Sequence, residues 1–200
     1  MKQTLKLGIG AAAFALAFAG AVIAYNTLGK QESVQNDNRI AESGSAESAS
    51  NAENGQENPK APDFSMLDQS GNNVTLSAMI GKPVVLNFWA SWCPPCKSEM
   101  PEFDKVYAEL GSEIQFMMVD LVDGRRETVE KGVQYIEEQG FSFPVYFDIR
   151  QEGAYAYGIR SIPTTLFIDR DGYIVTGVQG AINESTLRKG IALIKPVSNN

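Results

Sequence analysis

Residues 61–200 of this 200-residue chain predict an α/β fold with a mixed sheet. Three observations predict it. Apolar runs of strand length alternate with stretches whose apolar residues recur at helical spacing. The last two strand-like runs are joined by Asp169-Arg170-Asp171-Gly172, a strong signal for an antiparallel hairpin. The segment, at about 140 residues, also has the length of one domain.

The chain ahead of that domain reads differently. Residues 1–6 carry Lys2 and Lys6 and are expected on the cytoplasmic side. Residues 7–28 are uncharged and mainly Ala, Leu, Phe, Ile and Val, long enough to cross a bilayer core once as a transmembrane anchor. A cleaved signal peptide is the competing reading, since Ala17-Phe18-Ala19 and Ala19-Gly20-Ala21 are small-x-small sites. The apolar run continues past both to Tyr25, which favours the uncleaved anchor. Both readings put the cysteines outside the cytoplasm, and no cysteine lies near the span for lipid attachment. Residues 29–60 are rich in Ser, Glu, Asn, Ala, Gln and Gly and have no aromatic residue. So little apolar surface cannot offset the entropy of ordering, so a disordered acidic linker is expected. As a flexible coil it spans very roughly 30 Å, letting a tethered domain reach partners near the membrane surface. Its six acidic residues contribute much of the −7 formal charge. An acidic chain gives no reason to expect nucleic acid as a partner.

Within the domain, Asp63–Leu67 and Asn73–Leu76 flank Gln69-Ser70-Gly71-Asn72 and read as a short hairpin. Val84–Trp89 is β-branched and aromatic throughout except for Leu86 and Asn87, which suits a strand buried on both faces. In the helix that follows, Met100, Phe103, Val106, Tyr107 and Leu110 recur on one face and Gly111 stops it, while Pro101 inside it is expected to kink it. Ile114–Val119 reads as a second buried strand. Arg125–Gln139 reads as a charged helix with Val129, Val133 and Ile136 inward and Gly140 as its stop. A short extended piece at Phe143–Phe147 and a short helix at Glu152–Tyr157 follow. Thr164–Ile168 and Tyr173–Gly177 form the closing hairpin, and Glu184–Ile194 is the last helix.

The chemistry concentrates in Val84–Pro101, VVLNFWASWCPPCKSEMP. The strand passes through the turn Ala90-Ser91-Trp92 into Cys93-Pro94-Pro95-Cys96, which opens the helix; Pro is tolerated in a first turn, where its missing N–H has no intrahelical partner. Cys93 falls at the N-cap, where the positive end of the helix stabilises a thiolate and makes it nucleophilic at neutral pH. Cys96 lies one turn behind, placed to close a disulfide on the first sulfur, so the pair reads as a redox dithiol with Cys93 attacking, as the more exposed thiol, and Cys96 resolving. Other uses of two cysteines fit poorly. Zinc needs four ligands, and this chain has no His and no third Cys. Haem attachment needs His after the second Cys, where Lys97 stands. A structural disulfide over so short a loop stabilises little. A peroxidase would use a lone attacking thiol with Thr or Ser three residues before it, the place that Ala90 holds. Neither metal nor another cofactor is expected. Pro94 and Pro95 also withhold two N–H donors that a helix start normally offers, leaving chiefly the Cys96 N–H for a Cys93 thiolate and favouring a more reducing couple.

Through FWASWCPPCKSEMP, IPTTLFIDRDG (Ile162–Gly172) and the order of elements between them, residues 61–200 resemble the thioredoxin superfamily. Within it they resemble the membrane-anchored TlpA/ResA-like thiol–disulfide oxidoreductases of bacteria. The resemblance implies a thioredoxin-like fold, with a central mixed sheet flanked by helices and an N-terminal hairpin extension. Composition alone favours a trans bond at Ile162-Pro163, but the resemblance implies a cis proline beside the cysteines, with Ile162 backbone groups pairing with an extended substrate segment. It makes Trp92, Pro94, Pro95, Ile162 and Pro163 candidates for contacting substrate. Trp92 would shield or present Cys93, while Trp89 suits the core. Glu99, one turn beyond Cys96, resembles an active-site Glu that assists proton movement; a solvated acid favouring an early helical turn is the plain alternative. Asn87 departs from thioredoxin, which has a buried Asp there, so the base for Cys96 would be Glu99 or water. Lys97 reads as a solvated side chain.

Taken together, the residues and the resemblance imply a single-pass, membrane-tethered oxidoreductase working outside the cytoplasm. It would reduce disulfides of exported proteins, act as a monomer, and be recharged by a membrane electron donor of the CcdA/DsbD type. The opposite direction, disulfide insertion, stays open, because a small change in thiolate stabilisation reverses the sign. A non-catalytic binding module or metallochaperone on the same scaffold is the reading from another class; the absence of His, and of a Met pattern near the cysteines, argues against it.

Overall fold

The computed structural model describes residues 58–195. The apolar span expected at 7–28 and nearly all of the 29–60 linker lie outside the described residues. Among the described residues no helix is long and apolar enough to cross a membrane.

The chain runs β1 (Ser65–Asp68), β2 (Asn73–Thr75), a 3₁₀ turn (Ser77–Met79), β3 (Val84–Trp89), α1 (Pro94–Leu110), β4 (Gln115–Asp120), α2 (Val129–Gln139), β5 (Val145–Phe147), α3 (Glu152–Ala156), β6 (Thr164–Ile168), β7 (Ile174–Gln179) and α4 (Glu184–Ile194). The strands form one seven-stranded sheet in the order β2-β1-β5-β4-β3-β6-β7. β3, β4 and β5 run parallel and the remaining pairs antiparallel, which makes the sheet mixed.

β3 is buried along its whole length because both faces of the sheet are covered. On one face Val85 and Trp89 join Phe116, Met118, Phe147 and Phe167 beneath Phe103 of α1, Ile136 of α2 and Leu187 of α4. On the other, Val84, Leu86 and Phe88 join Met117, Val119 and Ile168 beneath Phe64 and Met66 of the hairpin, with Tyr157 packed against them. Alternation along a strand thus divides one apolar run between two cores. Domain contacts begin at Pro59 and Lys60, just ahead of the boundary expected at 61: Pro59 accepts the Ile174 N–H and Lys60 bridges to Tyr173.

Several element ends shift by one or two residues from the sequence expectation, and two of the differences have a visible cause. The helix expected over 125–139 starts at Val129, because Thr128 caps it by accepting the Lys131 N–H. Arg125, Arg126 and Glu127 are held out of the helix by Asp123, whose Oδ1 accepts all three of their backbone N–H groups. The strand expected at 173–177 runs from Ile174 to Gln179, since β6 pairs with it as far as Thr164↔Gln179. Pro101 lies inside α1, which continues to Leu110.

The fold brings two loops together. β3 and β4 are parallel neighbours that end in register at Trp89↔Asp120. The Ala90–Trp92 turn and the 121–128 loop therefore leave the same end of the sheet side by side, the usual place for a site in a sheet with parallel strands.

Candidate active site

Cys93 is the N-cap of α1, with Pro94 and Pro95 in the first two helical positions and exposed. A disulfide joins Cys93 to Cys96 across a Cα–Cα distance of 5.3 Å. Cys93 Sγ accepts the Cys96 N–H at 3.3 Å, while the prolines supply no donor. The expected contrast in exposure is small: Cys93 is 2% exposed and Cys96 0%. Trp92 and Ile162, both partly buried, pack against the cluster that holds the two cysteines.

The Ile162–Pro163 peptide bond is cis. The Ile162 carbonyl oxygen lies 3.7 Å from Cys93 Sγ, and buried Pro163 accepts the Gly180 N–H through its own carbonyl. The loop leading into β6 thereby stands directly against the first sulfur, although 69 residues separate Cys93 from Ile162.

Glu99 is buried, not solvated. Asn87 Nδ2 donates to its Oε1 at 2.9 Å and the Ile182 N–H donates to its Oε2 at 2.9 Å. Burial pushes its pKa up from 4.5 to about 7, against the opposing pull of the two hydrogen bonds. A carboxyl in that range gains and loses a proton near neutrality. Asn87 also donates to Thr165 Oγ1, which locks Glu99, β3 and β6 into one buried polar chain. Trp89 is core, close to Tyr135. Lys97 is exposed, with its ammonium 4.7 Å from the Tyr135 ring centroid. Among the described residues no group of three or more His, Cys, Asp or Glu is placed to hold a metal ion.

Sequence reasoning missed the 121–128 loop. Glu127 is fully buried and takes the Ser91 N–H at 2.8 Å and the Ser91 hydroxyl at 2.8 and 2.9 Å. Its neighbour Arg126 lays its guanidinium 3.5 Å from the centroid of the Trp92 ring. Asp120, at the end of β4, is fully buried, and neither of its carboxyl oxygens has a hydrogen-bond partner among the described residues. Burial, reinforced by the charges of Glu127 and Asp123, pushes its pKa up to about 9, so it carries its proton at neutral pH. An acid closing the apolar run of β4 was the one available signal; nothing local marks Glu127, whose partner is 36 residues away.

Residues 58–176 match the AhpC/TSA family. The thiol–disulfide oxidoreductase ResA of Halalkalibacterium halodurans is 36% identical over 138 residues, covering 68% of this chain and 76% of the relative. ResA of Oceanobacillus iheyensis is 40% identical over 146 residues, 70% of this chain and 73% of the relative. Among solved structures, a putative thiol:disulfide interchange protein DsbE from Chlorobium tepidum superposes with a TM-score of 0.62 at 28% identity, over 70% of this chain and 99% of that one.

Proposed function

This chain belongs to the AhpC/TSA family and is a thiol–disulfide oxidoreductase of the ResA type, and from that premise we propose that it reduces disulfides of exported proteins from a membrane tether. The supporting observation is the Cys93–Cys96 disulfide at a helix start, with the Ile162 carbonyl 3.7 Å from Cys93 Sγ.

In the forward direction the reduced enzyme presents a Cys93 thiolate. It attacks one sulfur of a client disulfide, forming a mixed disulfide and releasing the other client sulfur, which takes a proton. Cys96 then loses its proton and attacks Cys93 Sγ; the second client thiol leaves and the Cys93–Cys96 disulfide forms. The client gains two electrons and two protons; the enzyme gives up two electrons and the Cys96 proton, and the other proton comes from solvent, to which Cys93 had already released its own. Glu99, one turn from Cys96, is the proton acceptor for that second step, since Asn87 cannot ionise. An extended client segment aligns along the Ile162–Pro163 loop and reaches Cys93 past Trp92 and the exposed rings of Pro94 and Pro95. The paired prolines leave a Cys93 thiolate poor in donors, which biases the couple toward reduction of clients. A membrane electron donor of the CcdA/DsbD type returns the oxidised enzyme to the dithiol, and the 7–28 span holds a monomeric domain outside the cytoplasm.

Trapping tests the division of labour. Cys96→Ser is expected to accumulate mixed disulfides with clients, and Cys93→Ser to form none. Function retained in the Cys93→Ser, Cys96→Ser double variant would instead mean that binding alone matters.

A further inference from the structure

We propose that Glu127 is a positioning residue for the dithiol and sets its redox bias: its buried carboxylate holds the active-site turn through Ser91 and, by its charge, disfavours the Cys93 thiolate. The inference rests on Cys93 being the attacking thiol.

The geometry carries it. Glu127 is 0% exposed, and the hydrogen bonds found for its side chain all come from Ser91, two residues before Cys93. No cation within ion-pair distance neutralises it among the described residues. A carboxylate removed from water without a counter-charge depends on its hydrogen bonds, and here they tie it to a single residue of the active-site turn. Its placement therefore serves the turn. The turn is fixed from both ends, by Glu127 at Ser91 and by the Cys93 N–H donating to the Ala90 carbonyl at 3.1 Å. That fixes where Cys93 Sγ points relative to Ile162.

Asp120 lies on the same side, is neutral at pH 7 and adds no charge there. Arg126 on Trp92 and Lys97 on Tyr135 are exposed cations, screened by solvent. Glu99 belongs to the Asn87 side of the site and titrates near neutrality. Glu127 is thus the buried carboxylate bonded directly to the Cys93 turn. In a low-dielectric setting a negative charge there raises the energy of a second one on Cys93. It destabilises the reduced, thiolate-bearing state and makes the couple more reducing, in the same sense as the two missing proline N–H groups.

The test uses the full-length chain. Two readouts are needed: the pH midpoint of Cys93 alkylation in the reduced protein, and the equilibrium with a glutathione buffer. Glu127→Gln keeps the shape and an acceptor for Ser91 but removes the charge. It is expected to lower the alkylation midpoint and to shift the equilibrium toward reduced protein by about threefold to tenfold. Ser91→Ala strips a donor from the carboxylate and leaves its charge less neutralised, so the midpoint is expected to rise. Opposite shifts in the two variants are the signature of a charge effect. An unmoved midpoint in Glu127→Gln, or shifts of the same sign in both, would overturn the inference and leave Glu127 a brace. If Glu127→Gln does not fold, Ser91→Ala decides alone: a midpoint unchanged or lowered overturns the proposal. Failure of the underlying reading looks different, since exchange would then survive Cys93→Ser.

Discussion

Glu99 shows how one side chain carries chemistry through burial. Its carboxyl has two donors, Asn87 Nδ2 and the Ile182 N–H, yet burial outweighs them and sets its pKa to about 7. With that pKa the carboxyl is about half ionised at neutral pH, as the base proposed for Cys96 has to be. Glu99→Gln is expected to slow disulfide exchange on the order of tenfold to a hundredfold, and to remove the rise in rate through about pH 7; stopped-flow exchange across pH reads both. Linkage gives the stability effect its sign. The folded state holds this proton more tightly than the unfolded chain, so stability falls as pH rises from 4.5 toward about 7. Melting temperatures at about pH 5 and about pH 8 should therefore diverge less in Glu99→Gln than in the parent; an equal divergence would contradict this. The cysteines and their prolines were legible from spacing alone, because a helix places i and i+3 on one face, whereas Glu99 became a candidate only through the family resemblance, against the plain reading of a solvated acid. Burial of Glu99 was not legible, since Ile182 lies 83 residues away and supplies only a backbone group.

At the scale of elements, α1 was readable from end to end, from Cys93 as its cap to the stop at Gly111. α2 was not: its charged first turn suits a helix, and the Thr128 cap together with the competing Asp123 hydrogen bonds holds residues 125–127 outside it. Thr128→Ala is expected to cost about 1 kcal/mol in denaturant unfolding. The inner face of α2 offers a sharper test. A Cβ at Gly132 would collide with Asp120 Oδ2 and crowd Phe147, so Gly132→Ala is expected to destabilise by about 1–3 kcal/mol. Combined with Asp120→Ala, which removes the colliding group, the cost should shrink; strict additivity of the two changes would show that the helix does not press on that carboxyl.

For the whole molecule, sheet order is the level least visible in the sequence. β1 pairs with β5, and β3 sits between β4 and β6, contacts that no local spacing reveals. That order brings the helix start carrying Cys93 and Glu99 together with Glu127 and Ile162, from three separated parts of the chain. The central claim is the direction of electron flow, and the reduction potential of the full-length chain, equilibrated against glutathione, tests it most directly. A value near or below roughly −230 mV, on the thioredoxin side of the range, is what a reductase with a donor-poor Cys93 requires. A value near roughly −120 mV, where strong disulfide donors lie, would contradict it and make this protein an oxidant.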